Sequence, residues 1–147
     1  MINLPFIPYF QTTRYKVQTM IELSQVKPGE KVADLGSGDG RIVIAMAQKG
    51  AQAFGYELNS ELIKKSENEI NKLHLENNAH IIQKDFWHED LSIYSIITVY
   101  PMPDIMLNLE QKLLKELNIG TRVLLNYYPF PTWKEVTKKD NIYLYIK

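Results

Sequence analysis

Three glycines at alternate positions, Gly36, Gly38 and Gly40, directly follow the run Lys31-Val32-Ala33-Asp34-Leu35. Without side chains, such a loop can bend sharply at the end of a strand and let a ligand approach the backbone. The residues that follow, Arg41 to Lys49, are apolar on nearly every side (Ile42, Val43, Ile44, Ala45, Met46, Ala47) and stop at Gly50. That is the pattern of a helix buried against a sheet. Strand, glycine loop and buried helix make the start of a βαβ unit, with free N–H groups and the positive dipole end aimed above the loop. A plain tight turn does not need three glycines in five residues.

The rest of the chain repeats the alternation. Thr13 to about Gln25 carries Val17, Met20, Ile21 and Leu23 at helical spacing, and Lys27-Pro28-Gly29-Glu30 is a turn. Ala51 to Glu57 predicts a second strand, and Asn59-Ser60 caps a helix to about Leu73 with Leu62, Ile63, Ile70 and Leu73 inward. His80–Gln83 predicts a third strand ending at Asp85, and Ile93–Tyr100 a fourth, closed by Pro101-Met102-Pro103. Asp104 is expected to cap a helix bearing Ile105, Leu109, Leu113 and Leu117. Arg122–Tyr128 predicts a fifth strand, and Lys134–Val136 with Ile142–Ile146 a closing hairpin. The expectation is an α/β fold: a mostly parallel, twisted sheet with helices on both faces and an antiparallel C-terminal edge hairpin. Residues 1–12 read as an extended, proline-punctuated arm and residues 13–147 as one domain.

Composition narrows the chemistry. Seventeen Lys and Arg offset seventeen Asp and Glu, which argues against a nucleic-acid partner held by a basic field. With no cysteine there is no disulfide, thiolate zinc site or cysteine nucleophile. His74, His80 and His88 lack the close pairing of a metal site, and no metal is expected. No stretch approaches the roughly 18 apolar residues of a membrane span. The start is apolar but uncharged, unlike a signal peptide, so the expectation is a cytoplasmic protein.

A phosphate-binding P-loop would close on Gly-Lys-Ser/Thr, where this chain has Gly40-Arg41-Ile42. The dinucleotide fingerprint needs a small residue where Arg41 stands, and no chain remains for a second, substrate-binding domain. Asp34-x-Gly36-x-Gly38-x-Gly40 instead resembles the first motif of the class I S-adenosylmethionine-dependent methyltransferases, which have a Rossmann-like fold. The resemblance implies S-adenosyl-L-methionine as cofactor, with Asp34, Gly36, Ser37, Gly38 and Gly40 at its methionine end. Glu57, about 20 positions past the loop, suits the ribose hydroxyls as a two-oxygen acceptor. Leu58 follows it, and Asp85 with Phe86 falls where the family meets the adenine.

The likeness extends further. Pro8-Tyr9 with Thr12, Gly55-Tyr56-Glu57-Leu58-Asn59, Lys84-Asp85-Phe86-Trp87, Leu113-x-x-Glu116-Leu117 with Gly120-Thr121-Arg122-Val123, and Phe130-Pro131-x-Trp133 are similar to one branch. It holds the small archaeal protein-lysine methyltransferases and the ATP synthase c-subunit lysine methyltransferases. That implies protein lysine side chains as substrate, and an arm that covers the cofactor through Tyr9 and Thr12. The arm departs from the branch, reading Phe10-Gln11 where Val-Pro is expected.

Methyl transfer to an amine needs a desolvated, neutral nucleophile held in line, more than a dedicated acid–base pair. Tyr100, Tyr127, Tyr128 and Trp133 are the candidates to line such a slot, with Tyr100 and Trp133 the expected catalytic pair. Tyr100-Pro101-Met102-Pro103 stands where base-methylating enzymes carry Asp/Asn-Pro-Pro-Tyr/Phe, without the leading polar residue. A nucleic-acid amino methyltransferase is the weaker alternative, and a catalytically silent cofactor-binding module another.

Overall fold

The strands Lys31–Leu35, Ile96–Val99 and Arg122–Asn126 are buried at nearly every position, so the sheet must cover both of its faces, and two layers of helix do that here. The computed structural model describes residues 11–147. The strands are β1 (Lys31–Leu35), β2 (Gln52–Tyr56), β3 (Ala79–Ile82), β4 (Ile96–Val99), β5 (Arg122–Asn126), β6 (Thr137–Lys139) and β7 (Ile142–Ile146). They form one sheet in the order β3-β2-β1-β4-β5-β7-β6. From β3 to β5 all neighbours are parallel, whereas β7 runs antiparallel to both β5 and β6. The order reverses beside β1, which places a crevice over the carboxyl ends of β1 and β4, where open α/β sheets bind ligands.

Helices α1 (Arg14–Ser24), α2 (Arg41–Gln48) and α3 (Ser60–Lys72) cover one face. Met20, Ile42, Val43, Met46 and Ile70 pack there on Val32, Ala53, Ile96, Leu124 and Leu144. Helix α4 (Met106–Glu116) covers the other face, where Leu109 and Leu113 meet Leu35, Ile97, Val123, Leu125 and Tyr145. The α/β architecture, helices on both faces and antiparallel end all match the sequence expectation.

Four local expectations change. On α3 the buried stripe is Ile63, Ser66 and Ile70, while Leu73 is 40% exposed. Ser66 is small enough to let the helix approach the glycine loop. β4 begins at Ile96 because Leu91 and Tyr94 are buried at the ends of a turn, leaving Ile93 outside. Asp104 caps nothing: Pro103 opens a single 3₁₀ turn, Pro103–Ile105, and α4 starts after it with no side-chain cap. The first arm of the hairpin lies at Thr137–Lys139 because Asp140 and Asn141 both take positive φ (54° and 58°), a two-residue turn that pairs Lys139 with Ile142.

Candidate active site

The glycine loop holds its shape with backbone bonds. Gly36, Gly38 and Gly40 have φ of 78°, 57° and 82°, the left-handed region where a side chain is strained. The N–H groups of Gly36 and Ser37 both donate to the Tyr56 carbonyl at 2.9 Å, pinning the loop to the end of β2. Gly55 lies under it: a Cβ there would stand 2.6 Å from Ser37 Cβ and 2.9 Å from Val43 Cγ2. Ser66 Oγ donates to the Gly38 carbonyl at 3.1 Å and would lie 2.9 Å from a Cβ at Gly40. Ser66 was missed in the sequence, although its spacing from Ile63 and Ile70 was a usable signal.

Glu57 closes the loop from β2. Its Oε1 accepts from Gly38 N–H at 2.8 Å, and its Oε2 from Leu58 and Asn59 N–H at 2.9 and 3.0 Å. A carboxylate offers about four lone-pair sites, so Oε1 keeps one for a ligand. Leu58 beside it is half exposed.

Asp34 sits at the carboxyl end of β1, buried, and its Oδ1 accepts from Thr98 Oγ1 of β4 at 2.8 Å. Burial raises its pKa to about 7, against the lowering effect of the Thr98 bond, and the Glu57 and Asp39 carboxylates push the same way as burial. A cation above the loop would reverse that shift. Ser37 Oγ is buried with no hydrogen-bond partner among the described residues.

Arg41 has a role that sequence reasoning missed, since there it served only to exclude a dinucleotide. Its guanidinium grips both Asp39 oxygens, at 2.9 and 2.6 Å, and donates to the Thr12 carbonyl at 2.8 Å. Thr12 Oγ1 accepts from Asn126 Nδ2 at 3.2 Å, and Asn126 Oδ1 accepts from Lys16 Nζ at 2.9 Å. Buried Thr12 is thereby tied to both the glycine loop and the end of β5. Tyr9, and the expected arm through residue 10, lie outside the described residues.

Asp85 follows β3 and caps the 3₁₀ turn Phe86–His88, its Oδ1 accepting from Trp87 N–H at 3.1 Å. Its neighbours form an apolar pair, with the Phe86 and Trp87 rings 4.9 Å apart. Glu57 N–H donates to the Ile82 carbonyl at 3.1 Å, which sets the ends of β2 and β3 side by side.

Aromatic residues gather beyond β4 and β5. Burial raises the Tyr100 pKa, and the nearby Tyr128 and Tyr127 hydroxyls add to the shift, so Tyr100 is a neutral phenol rather than a base. Tyr127 and Tyr128 meet edge to face at 4.8 Å, and Lys16 Nζ lies 5.4 Å from the Tyr127 ring. Trp133 is placed differently. It stacks on Phe130 at 5.4 Å and packs on Tyr145 at 5.2 Å, and Tyr145 pairs with Val123, below the carboxyl edge. The fold thus brings Asp34, the glycine loop and Glu57 together, places Asp85 in the turn after the neighbouring strand β3, and groups Tyr100 with Tyr127 and Tyr128. Trp133, half-buried, packs against the second-face core. No group of three or more His, Asp or Glu side chains able to hold a metal occurs among the described residues. Nor is any described helix long and apolar enough to cross a membrane.

Known proteins resemble this chain in sequence and fold. Residues 34–137 match the family model of the ANTKMT methyltransferase domain. The chain belongs to that methyltransferase family. It is 38% identical to the human ATP synthase c-subunit lysine N-methyltransferase over 132 residues, 90% of this chain and 55% of that protein. The chain therefore spans about half the length of the vertebrate relatives it matches. It is 33% identical to a protein-lysine N-methyltransferase of Saccharolobus islandicus, with 99% of this chain and 97% of that one covered. Among solved structures, an RNA methyltransferase from Salinibacter ruber in complex with S-adenosyl-L-homocysteine superposes with a TM-score of 0.89 at 29% identity, covering 93% of each chain. The fold is thus that of the class I methyltransferases.

Proposed function

We propose that this chain transfers the methyl group of S-adenosylmethionine to lysine side chains of proteins. The observation that carries the reading is the likeness along nearly its whole length to an archaeal protein-lysine N-methyltransferase. The residues present fit the cofactor. Asp34 is a buried carboxylate suited to the α-ammonium, Ser37 Oγ is buried without a partner among the described residues, and Gly36 leaves open space where a side chain would stand. Glu57 Oε1 would accept from a ribose hydroxyl, and half-exposed Leu58 would cover one side of the adenosine. Asp85 would take the adenine amino group with Phe86 as its apolar neighbour. Thr12, and by resemblance Tyr9, would close the site from the amino-terminal side.

The bound cofactor supplies an electrophile that is already activated. The protein's remaining work is to hold a neutral amine in line and keep water away. Tyr100, Tyr127 and Tyr128 do this as an apolar, neutral wall: desolvation lowers an amine's pKa, and ring faces tolerate the cation that forms. Trp133 supports that wall from its place against the core.

The test is incubation with labelled methyl donor and added protein or total RNA, followed by mass spectrometry. Methylated lysine is expected, and Tyr100→Ala should slow transfer about tenfold while changing cofactor affinity less than about twofold. A second reading has one specific support, the Salinibacter ruber neighbour that is described as an RNA methyltransferase. Label recovered in RNA alone, with every lysine unmodified, would favour it.

A further inference from the structure

Glu110 is a carboxylate in the middle of α4, only 1% exposed, on the same buried side as Leu109 and Leu113. A charged side chain in that position is costly unless it is bonded. Here one oxygen takes three donors: Thr132 N–H at 3.0 Å, Thr132 Oγ1 at 2.8 Å and Trp133 N–H. Its other oxygen, Oε2, is buried without a partner among the described residues. Such an arrangement ties the segment after β5 to the helix after β4 across the second face of the sheet. Phe130 N–H adds a further tie by donating to the Tyr145 hydroxyl at 2.9 Å.

The segment needs holding because its other end is strained. Tyr127 has φ +78°, a conformation that bulky residues rarely adopt. Tyr128 N–H donates to the Asn126 carbonyl at 3.0 Å, two residues back, while Tyr127 N–H donates to the Asn141 carbonyl at 2.8 Å. A tight turn of this kind persists only where its surroundings over-determine it. Between the turn and Glu110 lie Tyr128, Pro129, Phe130 and Pro131, and the two prolines leave little slack to absorb a displacement.

We propose that Glu110 is a positioning residue for methyl transfer, clasping the Thr132–Trp133 backbone so that the Tyr127–Tyr128 pair stands fixed beside Tyr100. The proposal rests on the reading above that these tyrosines face the acceptor amine. Among the described residues Glu110 bonds to Thr132 and Trp133 and not to the glycine loop or Glu57. Its loss would move the tyrosines and leave the glycine loop and Glu57 as they are.

The test compares Glu110→Gln, Glu110→Ala and Thr132→Ala with the parent chain on an added lysine-bearing protein. Expected for Glu110→Ala is a fall in kcat/KM for the acceptor of about tenfold or more, with cofactor Kd changed less than about twofold. Glu110→Gln keeps an acceptor oxygen and should recover most of that loss. Thr132→Ala removes one of the three bonds and covers the case in which Glu110→Ala does not fold, with a fall of roughly two- to fivefold expected. Loss of cofactor affinity in step with activity, or full acceptor kinetics in folded Glu110→Ala and Thr132→Ala, would overturn the role. If the parent chain methylates no lysine, the failure lies with the substrate reading, and the parent measurement shows that before any variant is compared.

Discussion

The two halves of the carboxyl edge are built in opposite ways. Over β1 and β2 the groups are backbone amides and carboxylates, and Gly38, Glu57, Leu58 and Asn59 are joined by bonds within about one βαβ unit. Over β4 and β5 the edge is aromatic, and its shape is set from a distance by Glu110, Tyr145 and Asn141. A polar cradle must place each donor and acceptor, so it is wired directly. The apolar wall needs only shape and dryness, so the core beneath can hold it. Under the proposed function, that difference would separate capture of a cofactor from presentation of a nucleophile.

The largest expected effect comes from breaking the polar half at its floor. Gly55→Val puts carbon against Ser37 Cβ in the loop and Val43 Cγ2 on α2, so the loop must lift or the helix side chain shift. Overpacking of this kind costs about 1–3 kcal/mol, so melting should fall by several degrees in a chain of this size. Calorimetry should show cofactor binding lost in the folded variant. Retained affinity would mean that the loop is not braced on β2.

Thr98 joins the halves, since it stands on β4 and bonds Asp34 on β1. Burial lifts Asp34 from 3.8 to about 7. Between those values the folded protein holds a proton that the unfolded chain has released. Stability should therefore decline as pH rises through that window and level off above about 7. An ammonium ligand needs the ionised form, so affinity should climb with pH toward the same value. Thr98→Val removes the bond that favours ionisation, and should shift the midpoint upward and weaken binding about tenfold near neutral pH. Titration calorimetry across pH checks this, and a flat profile in both proteins would show that Asp34 does not face the ligand's cation.

The smallest effect is expected on the aromatic half. Tyr145→Phe strips the hydroxyl that receives Phe130 N–H and should cost about 1 kcal/mol of stability. Acceptor kinetics should shift by a few-fold with cofactor affinity unchanged. A change confined to cofactor affinity would erase the distinction between the halves.

The sequence by itself determined the fold class and most of the polar half. Strand, glycine loop, helix and the acidic strand end are local patterns, whereas Glu57 meets Gly38, 19 residues away, only through the parallel pairing of β1 with β2. Asn59 was legible as a cap, because a cap bonds within about three residues of itself. Tertiary structure decided what depends on partners distant in the chain. Arg41 became a clasp only when Thr12 came beside it, 29 residues away, and Glu110 an anchor only when Thr132 did, 22 away. In the sequence α4 showed an apolar stripe of leucines, and nothing marks one glutamate as buried until the segment after β5 folds across it. Trp133 was read as lining the slot from its place after the fifth strand, and its packing on Phe130 and Tyr145 is a tertiary fact that no spacing showed. Local hydrogen-bond geometry is written in residue spacing. Which buried groups meet is settled by how the two faces of the sheet are covered.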